Sequence, residues 1–530
     1  MNKVKTIKDP IYNYIELDNQ FMQLVNTPEF QRLRNIRQTS YEALYPSALH
    51  NRFVHSLGVF YLGCKAIKHF YKNVLNIMPQ DLKEHWQDIE QTFLLACLLH
   101  DVGHAPFSHT GEDYYNIAID FIEALINEID DQNYFVRDIE ISESGSGKPH
   151  EAMSALIGLD LCKKFDININ RELFVRCIIG LKYDTNIDHA AFLNGIIGLL
   201  NGDLIDVDKL DYTIRDAYVT GYQSMTIDLD RLLAGYTMYK IGNNYEIGYK
   251  RGALSVIENV IYANDLERRW IQNHPAVLYD CQLVRTLLNY FDKYMTEDVS
   301  VNTVFCKEAL SKEGLTLNNK CLKLFNDTDV LAYIKNVDTS MIAEQYLSRD
   351  KRFKPLWKAE ASFSFLSQDI GAELLNTIQK DLKTLLDILQ KCTGCFINEN
   401  AISFLDKLNT DRQKELGFSS QEIERAKHIC EIFQNFQREE GLPDFEFFIT
   451  LSDQFKTSYR KIQKGAINVE LDTGFVSLDK IMSVYAKEVE DKKFFYVYTT
   501  KNNVVRQANL GIKFFDILRR YYKKATVSAE

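Results

Sequence analysis

No apolar run in this sequence is long enough to cross a bilayer. The most hydrophobic stretch, Phe93 to Leu99, falls far short of the ~20 residues a spanning helix needs. A surplus of positive charge is also lacking. The formal net charge of −11 argues against nonspecific binding to nucleic acid or to an anionic membrane as the main activity. Any polyanionic ligand must therefore find a locally basic pocket. There is no disulfide framework. Ten cysteines (64, 97, 162, 177, 281, 306, 321, 392, 395, 430) are scattered, most inside apolar helical patterns where a reduced thiol packs as a small hydrophobe. Cys392-Thr-Gly-Cys395 is a CxxC with no second pair and reads as incidental. Repeats and low-complexity tracts are missing as well. What remains is a cytoplasmic globular chain of 530 residues, 46% hydrophobic and 25% charged, long enough for more than one domain.

Apolar residues recur at helical spacing through the first 300 residues, as in Phe53, Leu57, Phe60, Tyr61, Cys64, Ile67 and again in Ile89, Phe93, Ala96, Cys97, Leu99. The fold class expected is mainly α. Around Gly242-Asn-Asn244, the alternation of Tyr239, Ile241, Tyr245, Ile247 and Tyr249 predicts a small β-hairpin. Asp120 to Lys148 reads as an acidic surface helix followed by a Ser/Gly loop, Ser142-Glu-Ser-Gly-Ser-Gly-Lys148. Helices continue from 301 to 440, and strand-like Phe445-Glu-Phe-Phe-Ile-Thr450 and Phe494-Phe-Tyr-Val-Tyr-Thr499 place an α+β region at 441–530. The tail Lys513 to Lys524 is basic and aromatic. It reads first as an amphipathic helix docking on its own protein, and second as a binder of nucleic acid or an effector phosphate.

The densest chemical signal is His100-Asp-Val-Gly-His-Ala-Pro-Phe-Ser-His109, which follows the apolar Phe93 to Leu99 helix. A neutral imidazole and a carboxylate side by side can share one cation. Gly103 and Pro106 break the helix and turn the later histidines toward the same cavity. Alone, His55 in Asn51-Arg-Phe-Val-His-Ser-Leu-Gly58 reads as a core residue. The run Asp203-Leu-Ile-Asp-Val-Asp-Lys-Leu-Asp-Tyr-Thr-Ile-Arg-Asp216 reads alone as a solvated, salt-bridged helix, with Asp208, Tyr212, Arg215 and Asp216 near one face. The combination H…HD…D gives these residues a common purpose.

That combination resembles the HD phosphohydrolase superfamily. Asp9-Pro-Ile, Thr27-Pro-Glu-Phe-Gln-Arg-Leu-Arg34, His50 to Gly58, His100 to His109 and Asp206 to Tyr212 narrow the resemblance to the SAM-and-HD-domain dNTP triphosphohydrolases and their bacterial dGTPase-like relatives. It runs with few gaps from about residue 5 to 290 and is weaker after 300. It implies an HD-domain helical core over 1–300, beyond which the residue patterns themselves give the helical extension over 301–440 and the C-terminal α+β lobe over 441–530. It also implies one divalent ion (Mn, Mg, Fe, Co or Zn) held by His55, His100, Asp101 and Asp208. The activity implied is hydrolysis of a deoxynucleoside triphosphate to deoxynucleoside and inorganic triphosphate. Matching positions give His104, His109, Glu112 and His150 as catalytic residues, with His109 the acid that protonates the leaving 5′ oxygen. Glu112 stands where the family has an aspartate. Arg52 and Lys209, with Arg215 as a further candidate, are the phosphate contacts, and Gln38, Tyr212 and Asp216 the sugar contacts.

The chain also departs from the family. At the separate nucleotide site through which the SAM-and-HD enzymes are activated and assemble, Gln31 and Arg34 match, but Asn26 replaces an aspartate and Lys8 an asparagine. Activation by some nucleotide stays open there, and the family's guanine preference does not carry over to a site with Asn26. Between Glu112 and His150 lies an insertion of about twenty residues, within 113–149, which reads equally as a lid, a subunit contact or an inert loop. A homo-oligomer, tetramer or hexamer, is expected by resemblance. The biological role expected is dNTP pool control or antiviral defence. Two other readings stay open: an HD-type phosphodiesterase or nucleotidase acting on another nucleotide, and a nucleotide-sensing or nucleic-acid-binding protein with a vestigial site.

Overall fold

A computed structural model describes residues 4–115, 119–129, 132–142, 147–184, 189–222, 226–242, 244–297, 303–392, 394–452, 467–481, 494–500 and 509–527. The chain is mainly helical and divides into two compact units. The first comprises Met1–Glu267, Tyr294–Asp329 and Thr457–Glu490; the second comprises Arg268–Lys293, Val330–Lys456 and Asp491–Glu530. Among the described residues no helix is long and apolar enough to cross a membrane.

Within the first unit, three helices carry the chemistry-bearing residues. Arg52–Val74 starts at Asn51, whose side chain accepts the Val54 N–H, and it buries Phe53, Leu57, Phe60, Ile67, Phe70 and Val74. Trp86–Leu99 is apolar on nearly every face of its second half and lies deep in the core, so the His100-Asp101 pair at its end is delivered into the interior. The two helices approach closely at Gly63, where an added Cβ would stand 2.7 Å from Cys97 Sγ. Val207–Thr220 begins at Asp206, which caps the Lys209 N–H at 2.7 Å, and stops at Gly221 in the left-handed region (φ 69°). It packs against Arg52–Val74 at Gly58, where a Cβ would meet Asp211 Oδ1 at 1.9 Å. That glycine lets the acidic helix lie directly on the helix bearing His55.

The hairpin expected near 240 is present as Tyr236–Ile241 and Asn244–Tyr249; its turn residue Asn243 lies outside the described residues. It is the core of a larger sheet than the local alternation suggests. Asn468–Leu471 adds to it in parallel and Gly474–Ser477 pairs antiparallel beyond, giving a four-stranded sheet. A second hairpin, Lys5–Asp9 with Asn13–Leu17, turns through Asp9, whose carboxylate accepts the Ile11 and Tyr12 N–H groups. The acidic stretch before the Ser/Gly loop forms two helices, Ile119–Asn127 and Gln132–Ile141. It is anchored by Leu125 and Phe135 in the core and by an Asp138–Arg176 ion pair at 2.8 Å. Residues 143–146 of that loop lie outside the described residues.

In the second unit the two strand-like segments pair antiparallel as Phe447–Leu451 and Phe495–Thr499, flanked by Lys354–Pro355 and Phe396–Ile397. The tail forms the helix Leu510–Val527, which buries Phe514, Phe515, Ile517, Leu518 and Tyr522 and packs on the Ser420–Glu439 helix. Cys395 is buried within this unit.

Candidate metal centre and active site

His55 is fully buried, and its two ring nitrogens have different tasks. Nδ1 lies 2.8 Å from Asp211 Oδ2. Nε2 faces Asp208 Oδ1 at 3.0 Å, Asp101 Oδ2 at 3.5 Å and the Nε2 of His100 at 3.3 Å. His100 repeats the arrangement, with Nδ1 2.9 Å from the Cys97 carbonyl and Nε2 3.5 Å from Asp101 Oδ1 and 3.7 Å from Asp208 Oδ1. Each imidazole thus has its Nδ1 proton engaged by an oxygen, which leaves an Nε2 lone pair turned toward two carboxylates. Imidazoles oriented this way from behind are the usual metal-ligating form. The electrostatics agree. Burial opposes a charge on His55, yet Asp208, Asp211 and Asp101 push its pKa up to about 9, so the cluster as it stands recruits a cation. His55, His100, Asp101 and Asp208 therefore fit one divalent ion.

Asp101 joins this cluster to a second. Burial opposes its ionisation, but Arg52, His100 and His55 together hold its carboxyl well below the usual carboxylate range. Arg52 reaches it with Nη1 at 2.7 Å. Asp101 Oδ1 lies 3.4 Å from His104 Nε2. His104 is buried and stacks on His150 at 4.0 Å, and His109 meets both rings edge-on. Glu112 stands behind the pair, accepting from His109 Nδ1 at 3.0 Å and from His150 Nδ1 at 2.5 Å. Against the cost of burial, His150 and His109 hold the Glu112 carboxyl well below its ordinary range. The glutamate thus reaches both imidazoles despite its extra methylene. Burial, with Arg52 nearby, pushes His104 in the other direction from His55, well below the ordinary imidazole value, so it is neutral.

The remaining expected site residues divide. Arg52 Nε donates to Ser108 Oγ at 2.8 Å, while Nη2 has no hydrogen-bond partner among the described residues. Tyr212 is half-buried on the helix that carries Asp208, and Gln38 is buried with its Oε1 unpartnered among the described residues. Asp216 Oδ1 sits 2.6 Å from His50 Nε2. Lys209 folds back on its own helix start, bonding the Gly202 carbonyl at 2.8 Å and the Asp206 carboxylate. Arg215 is not presented for phosphate binding. It is buried, with Nε and Nη2 on Asp211 at 2.9 and 3.0 Å and Nη1 on Asp9 at 3.1 Å. Asn26, Gln31 and Arg34 line a separate cavity of about 290 Å³ with Lys5 and Lys8. There Arg34 stacks on Phe53 at 3.6 Å and its Nε donates to Gln31 at 2.8 Å.

Three positioning residues escaped the sequence reading. Asp211 holds His55, and its place three residues after Asp208 on a helix was the available signal. Ser108 Oγ bridges Arg52 and the Arg37 carbonyl. Asp327, buried and 220 positions from Phe107, accepts the Phe107 N–H at 2.7 Å and the Arg37 N–H at 3.0 Å. Its hold explains how Phe107 and Ser108, at φ 58° and 54°, keep a left-handed conformation that non-glycine residues rarely adopt. Nothing local marks Asp327 in the sequence.

With this geometry in view, the HD domain model matches residues 52–164. An uncharacterized protein of Mycoplasma pneumoniae is 31% identical over 439 residues, covering 81% of this chain and 85% of its own. An uncharacterized protein of Methanocaldococcus jannaschii is 26% identical over 404 residues, 71% of this chain and 74% of its own. The deoxynucleoside triphosphate triphosphohydrolase SAMHD1 of Danio rerio is 33% identical over 288 residues, 54% of this chain; the match spans 45% of that longer protein. Among solved structures, a hypothetical protein from Aquifex aeolicus shares the fold at a TM-score of 0.54 and 19% identity, over 97% of this chain and 100% of its own.

Proposed function

Because the chain belongs to the dNTPase-like family of HD-domain metal-dependent phosphohydrolases, we propose that it hydrolyses deoxynucleoside triphosphates to deoxynucleoside and inorganic triphosphate. The observation that carries this reading is the adjacency of two clusters through Asp101: a cation-recruiting set of imidazoles and carboxylates, and a Glu112-backed pair of histidines beside it. His55, His100, Asp101 and Asp208 would hold a divalent ion (Mn, Mg, Fe, Co or Zn), which would supply Lewis-acid polarisation of an α-phosphate oxygen and a more acidic attacking water.

The chain's own groups supply the rest. The unpartnered Nη2 of Arg52 is a donor for a phosphate oxygen, and Lys209 adds a positive charge at the Asp208 end. As water oxygen bonds to the α-phosphorus, the bond to the 5′ oxygen breaks, and His109 Nε2 gives that oxygen its proton. Glu112 holds the imidazolium by Nδ1 through the transfer. His104, which is neutral, and His150 contact water or phosphate. Gln38, Tyr212 and Asp216 receive the deoxyribose, with the tyrosine ring where a 2′-hydroxyl would need room. Arg215 takes no phosphate in this scheme and braces Asp211 instead.

The cavity around Asn26, Gln31 and Arg34, with its two lysines, suits a nucleotide activator, and a homo-oligomer in the cytoplasm is part of the same reading. Pool control and antiviral defence are both consequences of lowering dNTP levels. Incubation with each dNTP, singly and in pairs, with Mn²⁺ or Mg²⁺ tests substrate and activator together. Phosphate or a nucleoside monophosphate as the sole phosphorus product would favour the phosphodiesterase or nucleotidase reading. Turnover unaltered by His100→Ala with Asp101→Ala would show that the proposed site is not responsible for it.

A further inference from the structure

We propose that Asp9, on the N-terminal hairpin, is a positioning residue of the metal centre and acts on His55 through Arg215 and Asp211. Asp9, Arg215, Asp211 and His55 are all buried and form an unbroken file. Asp9 divides its two oxygens. Oδ1 accepts the Ile11 and Tyr12 N–H groups at 2.8 and 3.0 Å, which fixes the carboxylate in the turn, and Oδ2 takes Arg215 Nη1 at 3.1 Å. Arg215 then grips Asp211 with its other edge, Nε on Oδ2 at 2.9 Å and Nη2 on Oδ1 at 3.0 Å. Asp211 Oδ2 also receives His55 Nδ1 at 2.8 Å. A guanidinium is planar and rigid, so anchoring one end of it sets the plane in which the Asp211 carboxylate lies. That carboxylate aims the imidazole whose Nε2 faces Asp208 and Asp101.

The packing around the file leaves the guanidinium little room to turn. At Gly58, on the helix that bears His55, an added Cβ would stand 2.6 Å from Arg215 Nη2. From the hairpin side the Tyr12 ring lies 5.7 Å from the guanidinium and itself stacks on Tyr61 at 4.8 Å. Asp9 is the one buried residue of the strand Lys5–Asp9, on which Lys5, Thr6 and Lys8 are exposed. The strand's hold on the interior is therefore concentrated in this carboxylate. Charge gives a second reason for its place. Shared between two carboxylates, Arg215 leaves Asp211 enough negative charge to polarise His55 from behind; paired with Asp211 alone, it would draw that charge away from the imidazole. Asp9 does this without touching the ion's ligands.

The test is Co²⁺ titration of the full-length protein, stripped by chelator, with absorption of the bound ion as readout and His100→Ala with Asp101→Ala as the blank for the site. Asp9→Asn keeps an oxygen for the turn but loses the charge and turns an amide N–H toward Arg215. It should weaken the ion by about 3–10-fold, less than the 10–100-fold of a partner that touches the ligand itself. Glu16→Gln removes an equal charge from an exposed position on the same hairpin and should leave the affinity within about twofold. Beside Asp211→Asn, Asp9→Asn should cost nothing further, because the file is already cut. Arg215→Lys keeps the charge and loses the fork, and it should weaken the ion in the same range as Asp9→Asn. Urea unfolding in chelator separates loss of fold from loss of affinity in each variant. Affinity unchanged in Asp9→Asn or Arg215→Lys, an equal loss in Glu16→Gln, or Asp9→Asn costing as much beside Asp211→Asn as alone would each overturn the assignment. The inference rests on the ion being held at His55 and not on the reaction, so absence of dNTP turnover would leave these affinities untouched and the two readings fail separately.

Discussion

Replacing Glu112 by glutamine isolates the half of the site proposed to deliver the proton. The carboxylate receives two imidazole N–H groups, at 3.0 Å from His109 and 2.5 Å from His150. Glutamine keeps the shape but offers one accepting oxygen and one donating nitrogen, so it can satisfy only one of the two rings as they stand. The ring that meets the amide N–H must flip or change tautomer, and the imidazolium loses the negative charge that stabilises it. Hydrogen bonds to charged groups contribute about 1.5–3 kcal/mol each. Losing one such bond outright, and the charge assistance of the other, is about 2–4 kcal/mol, or roughly 30- to 10³-fold in rate. Steady-state kinetics with a dNTP should show this loss in kcat, with KM changed by less than about threefold, because Glu112 meets the histidines rather than the substrate. Glu112→Asp should recover most of the rate. A kcat for Glu112→Gln within threefold of wild type would refute the role given to the His109–Glu112 pair.

Other consequences can be measured. Asp211→Asn removes the carboxylate behind His55, and metal affinity should fall by about 10–100-fold in an equilibrium titration, where an unchanged affinity would contradict the bracing role. Gly58→Ala drives a methyl to 1.9 Å from Asp211 Oδ1 and should destabilise the protein by at least about 1–3 kcal/mol in urea unfolding. Asp327 is a buried acid whose pKa is raised to about 6, chiefly by burial. With the folded pKa above the unfolded one, its ionisation costs stability above about pH 6, and the cost is relieved as pH falls toward 4. Relative to Asp327→Asn, the wild type should gain about 1 kcal/mol between pH 7 and pH 5, and a constant difference would contradict a buried titrating carboxyl. Arg34→Ala should blunt activation by nucleotide pairs, read as a rightward shift of the activation curve.

The legibility of this molecule from its sequence follows the range of the interactions concerned. The HD run is local, so its three histidines and aspartate were visible as a cluster, and the helix feeding them was visible in its apolar residues. His55 and Asp208 became legible only through that cluster, since an apolar helix with one histidine and a charged helix are both ordinary. Arg215 shows the converse. Its spacing put it on the face with Tyr212 and Asp216, yet it turns to Asp211 on its own helix and Asp9 on a hairpin about 200 residues earlier, partners no helical period reveals. That hairpin also went unread, because its strands are five residues each and its turn rests on one aspartate side chain. The sheet at 236–249 was half-legible, since its own alternation marked two strands but not the pair returning from 468–477. Asp327 was beyond reach, because a single aspartate in a polar stretch carries no pattern. Long-range polar contacts were the missing information, and they decide how the catalytic loop is held.

The most direct test of the central claim is the identity of the phosphorus product when the metal-loaded protein meets a dNTP. Ion chromatography or ³¹P NMR should find inorganic triphosphate and deoxynucleoside in equal amounts, and ¹⁸O from solvent water should appear in the triphosphate, because the 5′ oxygen leaves with the sugar. Pyrophosphate with a deoxynucleoside monophosphate, phosphate with a diphosphate, or no product at all under any pairing of dNTPs would contradict it.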